Sequence, residues 1–281
     1  MTEAHFAYAL TVLDLDAYLR RIGYDGARVP TFETLRAVQL CHTQSITFEN
    51  LNALMGWPVP VDLPTVQEKI LRRGRGGWCF EQNLLFGHAL RAIGFTVTDL
   101  AARVLWGSDE QVVTRRSHMA LRVMVNGEPF IADVGFGGQT LTGPVRLQLD
   151  VAQATPHEDF RLVAAGDELK LQSLVGGTWR SLYRFDLQPQ FAVDYEVISY
   201  FLATHPSSQF RTTLRVARAL PGLRHGLLNE QLATHYLNGV TEKRTLTSVA
   251  EVRDVLADLF GLTLPPGPDL DPAIARVCYF P

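Results

Sequence analysis

Arg72-Arg73-Gly74-Arg75-Gly76-Gly77-Trp78-Cys79-Phe80-Glu81-Gln82-Asn83 is the stretch that decides how this chain is read. A glycine-rich turn delivers a cysteine onto the first turn of a helix. That helix continues through Phe80, Leu84, Leu85 and His88 to a stop at Gly94. The first backbone N–H groups of a helix are unpaired and carry partial positive charge. A cysteine held there is expected to have its thiolate favoured, and the upstream arginines add to the same field. The competing expectation is an ordinary core cysteine, since free thiols are usually buried. A base within reach of the sulfur decides between the two.

Upstream, Leu15, Tyr18, Leu19 and Ile22 recur at helical spacing and Gly23 closes the segment. A second helix is expected from about Thr31 to His42. Glu49, in Ile46-Thr47-Phe48-Glu49-Asn50-Leu51, is either a surface carboxylate or a buried one that needs a cation. Thr65 and Glu68 form a capping-box pattern for a helix ending near Arg73. Residues 1–94 therefore read as a helical domain carrying the Cys79 helix, with 1–13 as a loose extension. From Phe95 the pattern becomes extended. One run ends at Trp106 and a polar loop covers 107–116. Ser117 to Val125 and Glu128 to Val134 then flank Asn126-Gly127, the signature of a type I′ hairpin. Short strands near 159–163, 168–174 and 178–185 complete an antiparallel sheet or small barrel over 95–194. From Tyr195 the pattern is mixed. A helix is expected over Tyr195 to Ala203. A second follows the cap at Ser248 and Glu251, with Val252, Val255, Leu256 and Leu259 on one face and a stop at Gly261. Residues 195–281 form a third unit.

The bulk numbers exclude several classes. The chain has 281 residues, 47% hydrophobic and 20% charged, with a formal charge of −3. It has no long basic run, which argues against nucleic acid as a partner. Arg211, Arg215, Arg218 and Arg224 are expected on solvated helix faces, or else around a small phosphorylated ligand. The cysteines are Cys41, Cys79 and Cys278, an odd number without CxxC spacing. That argues against a disulfide scaffold and a cysteine-rich metal site, and suits a reducing cytoplasm. Met1 to Leu15 lacks a basic segment ahead of an apolar core, so no secretory signal is expected. No apolar run approaches the roughly 20 residues needed to span a bilayer.

The hairpin supplies the base. With Asn126 and Gly127 as the turn, His118 falls opposite Gly135 and Asp133 opposite Ala120. His118 and Asp133 then share a face as diagonal neighbours, about 7–8 Å apart at the backbone. A hydrogen bond between them would fix the imidazole tautomer and leave its other nitrogen for Cys79. A carboxylate inside the apolar run Ile131-Ala132-Asp133-Val134 also needs a partner. The following Gly135-Phe136-Gly137-Gly138-Gln139-Thr140 is a glycine-rich loop whose backbone can approach a phosphate or a carbonyl oxygen.

Arg75-Gly76-Gly77-Trp78-Cys79 resembles the Arg-Gly-Gly-X-Cys signature of the arylamine N-acetyltransferases, in their bacterial form. Ile46 to Leu51, Ala101-Ala102-Arg103-Val104, Ser117-His118, Asp133 to Gly138 and Thr204-His205-Pro206-Ser207-Ser208-Gln209-Phe210 are similar to further family blocks, in the family's order. The resemblance spans about residues 14 to 260. It implies an α+β fold: an N-terminal helical bundle, a central antiparallel β-barrel and a C-terminal α/β lid, on a core like that of cysteine proteases and transglutaminases. It implies a Cys79–His118–Asp133 triad and acetyl transfer from acetyl-coenzyme A through a Cys79 thioester to an arylamine, arylhydrazine or arylhydroxylamine, with no metal. It implies a structural Glu49–Arg75 ion pair. Phe48, Val104, Phe136 and Phe210 would line the acceptor pocket, and Gly135, Gly137, Gly138 and Thr140 would lie along the coenzyme. A cytoplasmic monomer or homodimer is expected.

Other readings remain open from the residues alone. His118 follows Cys79 by 39 residues, whereas papain-type proteases separate the pair by about 130–150. A transglutaminase-like hydrolase fits that spacing, as does a related acyltransferase or amide synthase using another acyl donor.

Overall fold

The computed structural model describes residues 12–280. Most of the extension expected over 1–13 lies outside the described residues. Helix α1 (Leu15–Ile22) ends at Gly23 in the left-handed conformation, and α2 (Phe32–Ser45) is capped by Thr31. Strand β1 (Phe48–Glu49) leads into α3 (Leu51–Met55). The next helix, α4 (Leu63–Gln67), begins earlier than the Thr65–Glu68 pattern implies. Asp62 is the cap, its carboxylate accepting from the Thr65 N–H at 2.9 Å, because Pro64 lacks an N–H and suits the first turn. The helix widens into a π-turn over Glu68–Arg72. Helix α5 (Cys79–Ile93) starts on the cysteine itself and stops at Gly94.

A seven-stranded antiparallel sheet follows: β2 (Thr96–Val104), β3 (His118–Val125), β4 (Glu128–Ala132), β5 (Val145–Arg146), β6 (Phe160–Ala165), β7 (Glu168–Val175) and β8 (Thr178–Phe185). Its spatial order is β5-β4-β3-β2-β8-β7-β6. It curls into a nearly closed barrel, since residues after β5 bridge to β6 at Leu149–Leu162 and Gln153–Phe160. The β3–β4 register pairs Leu121 with Ala132 and Val125 with Glu128, as the hairpin reading requires. Asn126 and Gly127 both have positive φ, 50° and 81°, the geometry of a type I′ turn. The ladder ends at Ala132, so the pairings expected for Asp133 and Gly135 do not form.

Helices α6 (Ala192–Thr204) and α7 (Gln209–Thr212) lead to β9 (Arg215–Leu220), β10 (Leu223–Leu228), β11 (Gln231–Tyr236) and β12 (Thr241–Thr245). With β1 these form a second antiparallel sheet, ordered β1-β9-β10-β11-β12. Helix α8 (Val249–Asp254), capped by Ser248, passes into a π-turn over Val255–Leu259, and α9 (Leu270–Val277) closes the chain. Among the described residues no helix is long and apolar enough to cross a membrane.

Strand β3 is buried on both faces, which explains its near-continuous apolar run. Met119, Leu121 and Val123 pack with Leu35, Val38, Leu85, Phe86 and Tyr195 in a core shared by helices and sheet. Ala120 faces the barrel interior with Leu100, Ile131, Phe160, Leu171 and Tyr183. A third core joins Leu51 and Leu54 to Leu214, Val216, Leu227, Leu256, Phe260 and Ile274.

Four buried charges fix the start of α5. The Glu49 carboxylate accepts from Arg75 Nη2 at 2.7 Å and Nε at 3.1 Å, and from the Leu51 N–H at 2.7 Å. Lys69 Nζ lies 3.5 Å from Glu49 and 2.8 Å from Glu81. Glu81 in turn accepts from the Trp78 N–H at 3.0 Å. Burial alone would raise the Glu49 pKa, but Arg75, Lys69 and the Leu51 N–H together pull it down to about 2. Burial and the Glu49 charge hold Glu81 above its ordinary value despite Lys69. Removing one partner of a buried pair leaves the other uncompensated. Glu49→Gln should therefore lower the unfolding free energy by about 3 kcal/mol in urea titrations at neutral pH. The Glu49 contribution is complete above 4.5 and is lost as pH falls towards about 2, so the two proteins should converge in acid.

Candidate active site

The turn before Cys79 is stitched to β1. The Gly77 N–H donates to Thr47 O at 3.2 Å, Gly77 O accepts from the Glu49 N–H at 3.1 Å, and Gln82 Nε2 donates to Gly77 O at 2.6 Å. This leaves Cys79 as the first residue of α5, 5% exposed, with Sγ 3.7 Å from Ser117 O. His118 follows Ser117 at the start of β3 and is buried, as is Asp133. His118 Nε2 lies 2.7 Å from Asp133 Oδ2. The remaining ring nitrogen, Nδ1, is left for the sulfur, and Cys79 is close enough to the imidazole to help raise its pKa. The structure thus brings together the three residues singled out in the sequence.

Asp133 leaves the β-ladder because its polar groups are taken elsewhere. Its Oδ1 accepts from Asn83 Nδ2 at 2.9 Å and from the Gly135 N–H at 2.9 Å. Its carbonyl accepts from Thr140 Oγ1 at 3.3 Å and Gln39 Nε2 at 3.4 Å. Asn83 also donates to Met119 O at 2.7 Å and accepts from the Val134 N–H at 3.0 Å. At Gly135 an added Cβ would lie 2.6 Å from the Cys79 Cα, so only glycine lets this loop close on α5.

Burial alone would lower the His118 pKa. Asp133, by charge and hydrogen bond, and then Cys79 override it and raise it to about 10. Burial pushes Asp133 up, but His118, Asn83 and the Gly135 N–H hold it below its ordinary value. An imidazolium beside a sulfur, backed by a buried carboxylate, is the arrangement of a cysteine nucleophile with its proton carrier.

Of the expected acceptor-pocket residues, Phe48 and Phe210 form an aromatic wall with Trp78, ring centroids 6.5 Å apart for Phe48–Phe210 and 5.3 Å for Trp78–Phe210. Phe136 stands edge-on to His118 at 5.2 Å. Val104 lies at the end of β2, paired with Tyr183 of β8. In the glycine loop, a Cβ added at Gly137 would lie 3.4 Å from the Phe48 ring, and the side-chain direction of Gly138 is open space. The Thr140 hydroxyl braces the loop, accepting from the Phe136 N–H at 3.3 Å while donating to Asp133 O. Among the described residues no group of three or more His, Cys, Asp or Glu side chains is placed to hold a metal ion.

Several site residues escaped the sequence reading. Asn83 is four residues after Cys79, hence on the same helix face, and that spacing could have found it. Tyr183 sits 4.8 Å from His118, its hydroxyl without a hydrogen-bond partner among the described residues. In sequence it is indistinguishable from a barrel-core aromatic. The arginines also need correcting. Arg215 and Arg218 lie on β9 and Arg224 on β10, not on helix faces. Arg224 is buried against Glu158 at 2.7 Å.

A family model described as N-acetyltransferase matches residues 31–268. An arylamine N-acetyltransferase of Mycolicibacterium smegmatis is 40% identical over 271 residues, covering 94% of this chain and 98% of that protein. One from Escherichia coli is 42% identical, covering 88% of each. The solved arylamine N-acetyltransferase of Mycobacterium marinum superposes with a TM-score of 0.92 at 40% identity, covering 95% of this chain and 100% of that one. The same enzyme in complex with CoA gives 0.91. With likeness of sequence and fold over nearly its whole length, this chain belongs to the arylamine N-acetyltransferase family.

Proposed function

We propose that this enzyme transfers an acetyl group from acetyl-coenzyme A to the nitrogen of arylamines, arylhydrazines or arylhydroxylamines by double displacement through Cys79. The observation that carries this reading is the 2.7 Å His118–Asp133 contact, which leaves the other imidazole nitrogen for a sulfur at the start of α5. Cys79 Sγ attacks the thioester carbonyl and forms a new S–C bond. The bond to the coenzyme sulfur breaks, and His118 supplies the proton that lets it leave as a thiol. The acceptor nitrogen then attacks the Cys79 thioester, gives its proton to His118, and restores the free cysteine. Asp133 holds the imidazole in one orientation and stabilises its charged form.

Splitting the transfer lets one cleft serve donor and acceptor in turn. Phe48, Phe210, Phe136 and Val104 would supply the apolar surface for an aromatic ring. The open side of Gly138, next to Gly135 and Gly137, suits the close approach of the thioester arm, with Thr140 bracing the loop behind it. In the same reading the chain divides near residues 94 and 194 into three structural units. Cys41, Cys79 and Cys278 are all free thiols, which suits a cytoplasmic protein, and we take it to act as a monomer or homodimer.

Mixing the enzyme with acetyl-coenzyme A, without acceptor, should add one acetyl group, mapped by mass spectrometry to Cys79 and discharged by an aromatic amine or hydrazine. Cys79→Ala should show no adduct while remaining folded. An adduct with a different thioester only would move the donor, and free acetate without amine would indicate a hydrolase.

Asp133→Asn should slow Cys79 acylation by about a hundredfold or more. Unchanged acylation would sink the triad assignment. The substitution also has a pH signature. His118 has a folded pKa raised from 6.5 to about 10, so its contribution to stability is full below 6.5 and is lost as pH rises through about 10. The parent should lose unfolding free energy across that alkaline window, and Asp133→Asn should lose far less, as urea titrations at stepped pH would read.

A further inference from the structure

Arg224 lies on β10, in the sheet that carries none of the three residues Cys79, His118 and Asp133. Its side chain is 2% exposed, and a fully buried arginine is rare unless every donor is used. Nε donates to both Glu158 oxygens at 3.0 and 3.1 Å, and Nη2 to Glu158 Oε2 at 2.7 Å. The rest of the fork points at the backbone of the loop after Asp133. Nη1 donates to Gly138 O at 3.3 Å and Nη2 to Thr140 O at 3.0 Å. Burial raises the Glu158 carboxyl, but Arg224 outweighs it and holds the group ionised. The neighbouring His157 ties the same segment to the β9–β10 turn, with Nε2 3.0 Å from Leu220 O and 3.2 Å from Leu223 O.

The clamped loop is the one that sets the imidazole. Thr140, whose carbonyl Arg224 holds, bonds through its hydroxyl to Asp133 O and the Phe136 N–H. Asp133 fixes one edge of His118 at 2.7 Å, and Phe136 stands against its ring at 5.2 Å. The opposite wall of the loop is held from α2, where Gln39 Nε2 donates to Leu141 O at 3.0 Å. Gly138 and Thr140 therefore depend on a guanidinium from the last third of the chain. The planar fork spreads its donors over three nitrogens and so reaches two carbonyls and both carboxylate oxygens together, whereas an ammonium offers three donors from a single nitrogen.

We propose that Arg224, oriented by Glu158, is a positioning residue for acylation of Cys79. It holds residues 133–140 so that Asp133 and Phe136 keep the His118 imidazole in its productive orientation. This rests on the Cys79–His118–Asp133 reading.

The test compares the parent enzyme with Arg224→Lys, Arg224→Met and Glu158→Gln. Arg224→Lys keeps the charge beside Glu158 and loses the fork, so it separates folding from positioning if Arg224→Met fails to fold. Single-turnover acylation of Cys79 is followed with acetyl-coenzyme A and with p-nitrophenyl acetate, which lacks the coenzyme. Loss of geometry at the reacting groups should slow acylation by both donors about ten- to a hundredfold in Arg224→Lys, with little change in half-saturation. The His118 imidazole, followed by 15N NMR, should titrate at lower pH than in the parent. Glu158→Gln should show the same changes more weakly. A loss confined to acetyl-coenzyme A would overturn the proposal and assign Arg224 to coenzyme binding. A fall in melting temperature with acylation and the His118 titration unchanged would overturn it as well. If the parent takes an acyl group from neither donor, the triad reading fails by itself. The His118 titration in parent and Arg224→Lys then still decides whether Arg224 positions the ring.

Discussion

The buried carboxylate of Glu49, held between Arg75 and Lys69, is the constraint on which the site depends. Three charged groups cannot leave water unless each finds a partner, and here the partners come from separate segments. Glu49 comes from β1, Lys69 from the π-turn after α4, and Arg75 from the glycine-rich turn. Glu81, on the first turn of α5, joins through Lys69 and also accepts the Trp78 N–H. The start of α5 is thereby fixed in position and direction before any reacting group is considered. The glycines follow from the same crowding, since an added Cβ at Gly76 would lie 2.0 Å from Thr47 O.

Helix α5 then does two jobs on one face. Cys79 is its first residue, and Asn83, one turn later, reaches Asp133 and the backbone on both sides of the hairpin. The cysteine and the carboxylate bonded to His118 are thus gauged against a single rigid element. Asp133 had to leave the β-ladder for this. Continued pairing would have committed its backbone to β3, whereas in the fold its carbonyl is shared by Gln39 and Thr140 and the chain turns under Cys79 at Gly135. The departure from regular structure lies where the site needs it.

Local signals carried much of this into the sequence. The left-handed stops at Gly23 and Gly94, the Asn126-Gly127 turn with its register, and the Ser248 cap all depend on a few adjacent residues, and each stands in the fold. The His118–Asp133 contact followed from that register, although the ladder stops one residue short of the aspartate. The Glu49–Arg75 pair came from family resemblance, since nothing local links positions 26 residues apart. The β9–β12 strands were missed because arginines interrupt the alternation of β9 and β10, while β11 buries a single residue and β12 is exposed throughout. Arg215 and Arg218 point to partly open surroundings, and Arg224 is buried only because Glu158, in a distant loop, receives it. Tyr183 was unreadable for the same reason. Its neighbours His118 and Phe136 come from other strands and loops, and the sequence of β8 shows only an apolar face.

The second sheet explains why the chain continues past the barrel at all. Thr47, two residues before Glu49, donates to Phe260 O at 2.6 Å, and the Thr263 N–H donates to Gly74 O at 3.1 Å. Asn50 donates to Phe210 O and Thr213 O and accepts from the Arg215 N–H. These bonds place Phe210 against Trp78 and steady the turn that ends at Cys79. On the other side Arg224 holds the loop that ends at Thr140. The two backbone segments that flank the sulfur are therefore both braced from the last third of the chain. Each such bond closes a loop of more than eighty residues, an entropic cost that packing of the C-terminal sheet offsets. Cys79, His118 and Asp133 all lie in the first half of the sequence, and the backbone segments around them are tied to the last third by bonds between positions far apart in the chain.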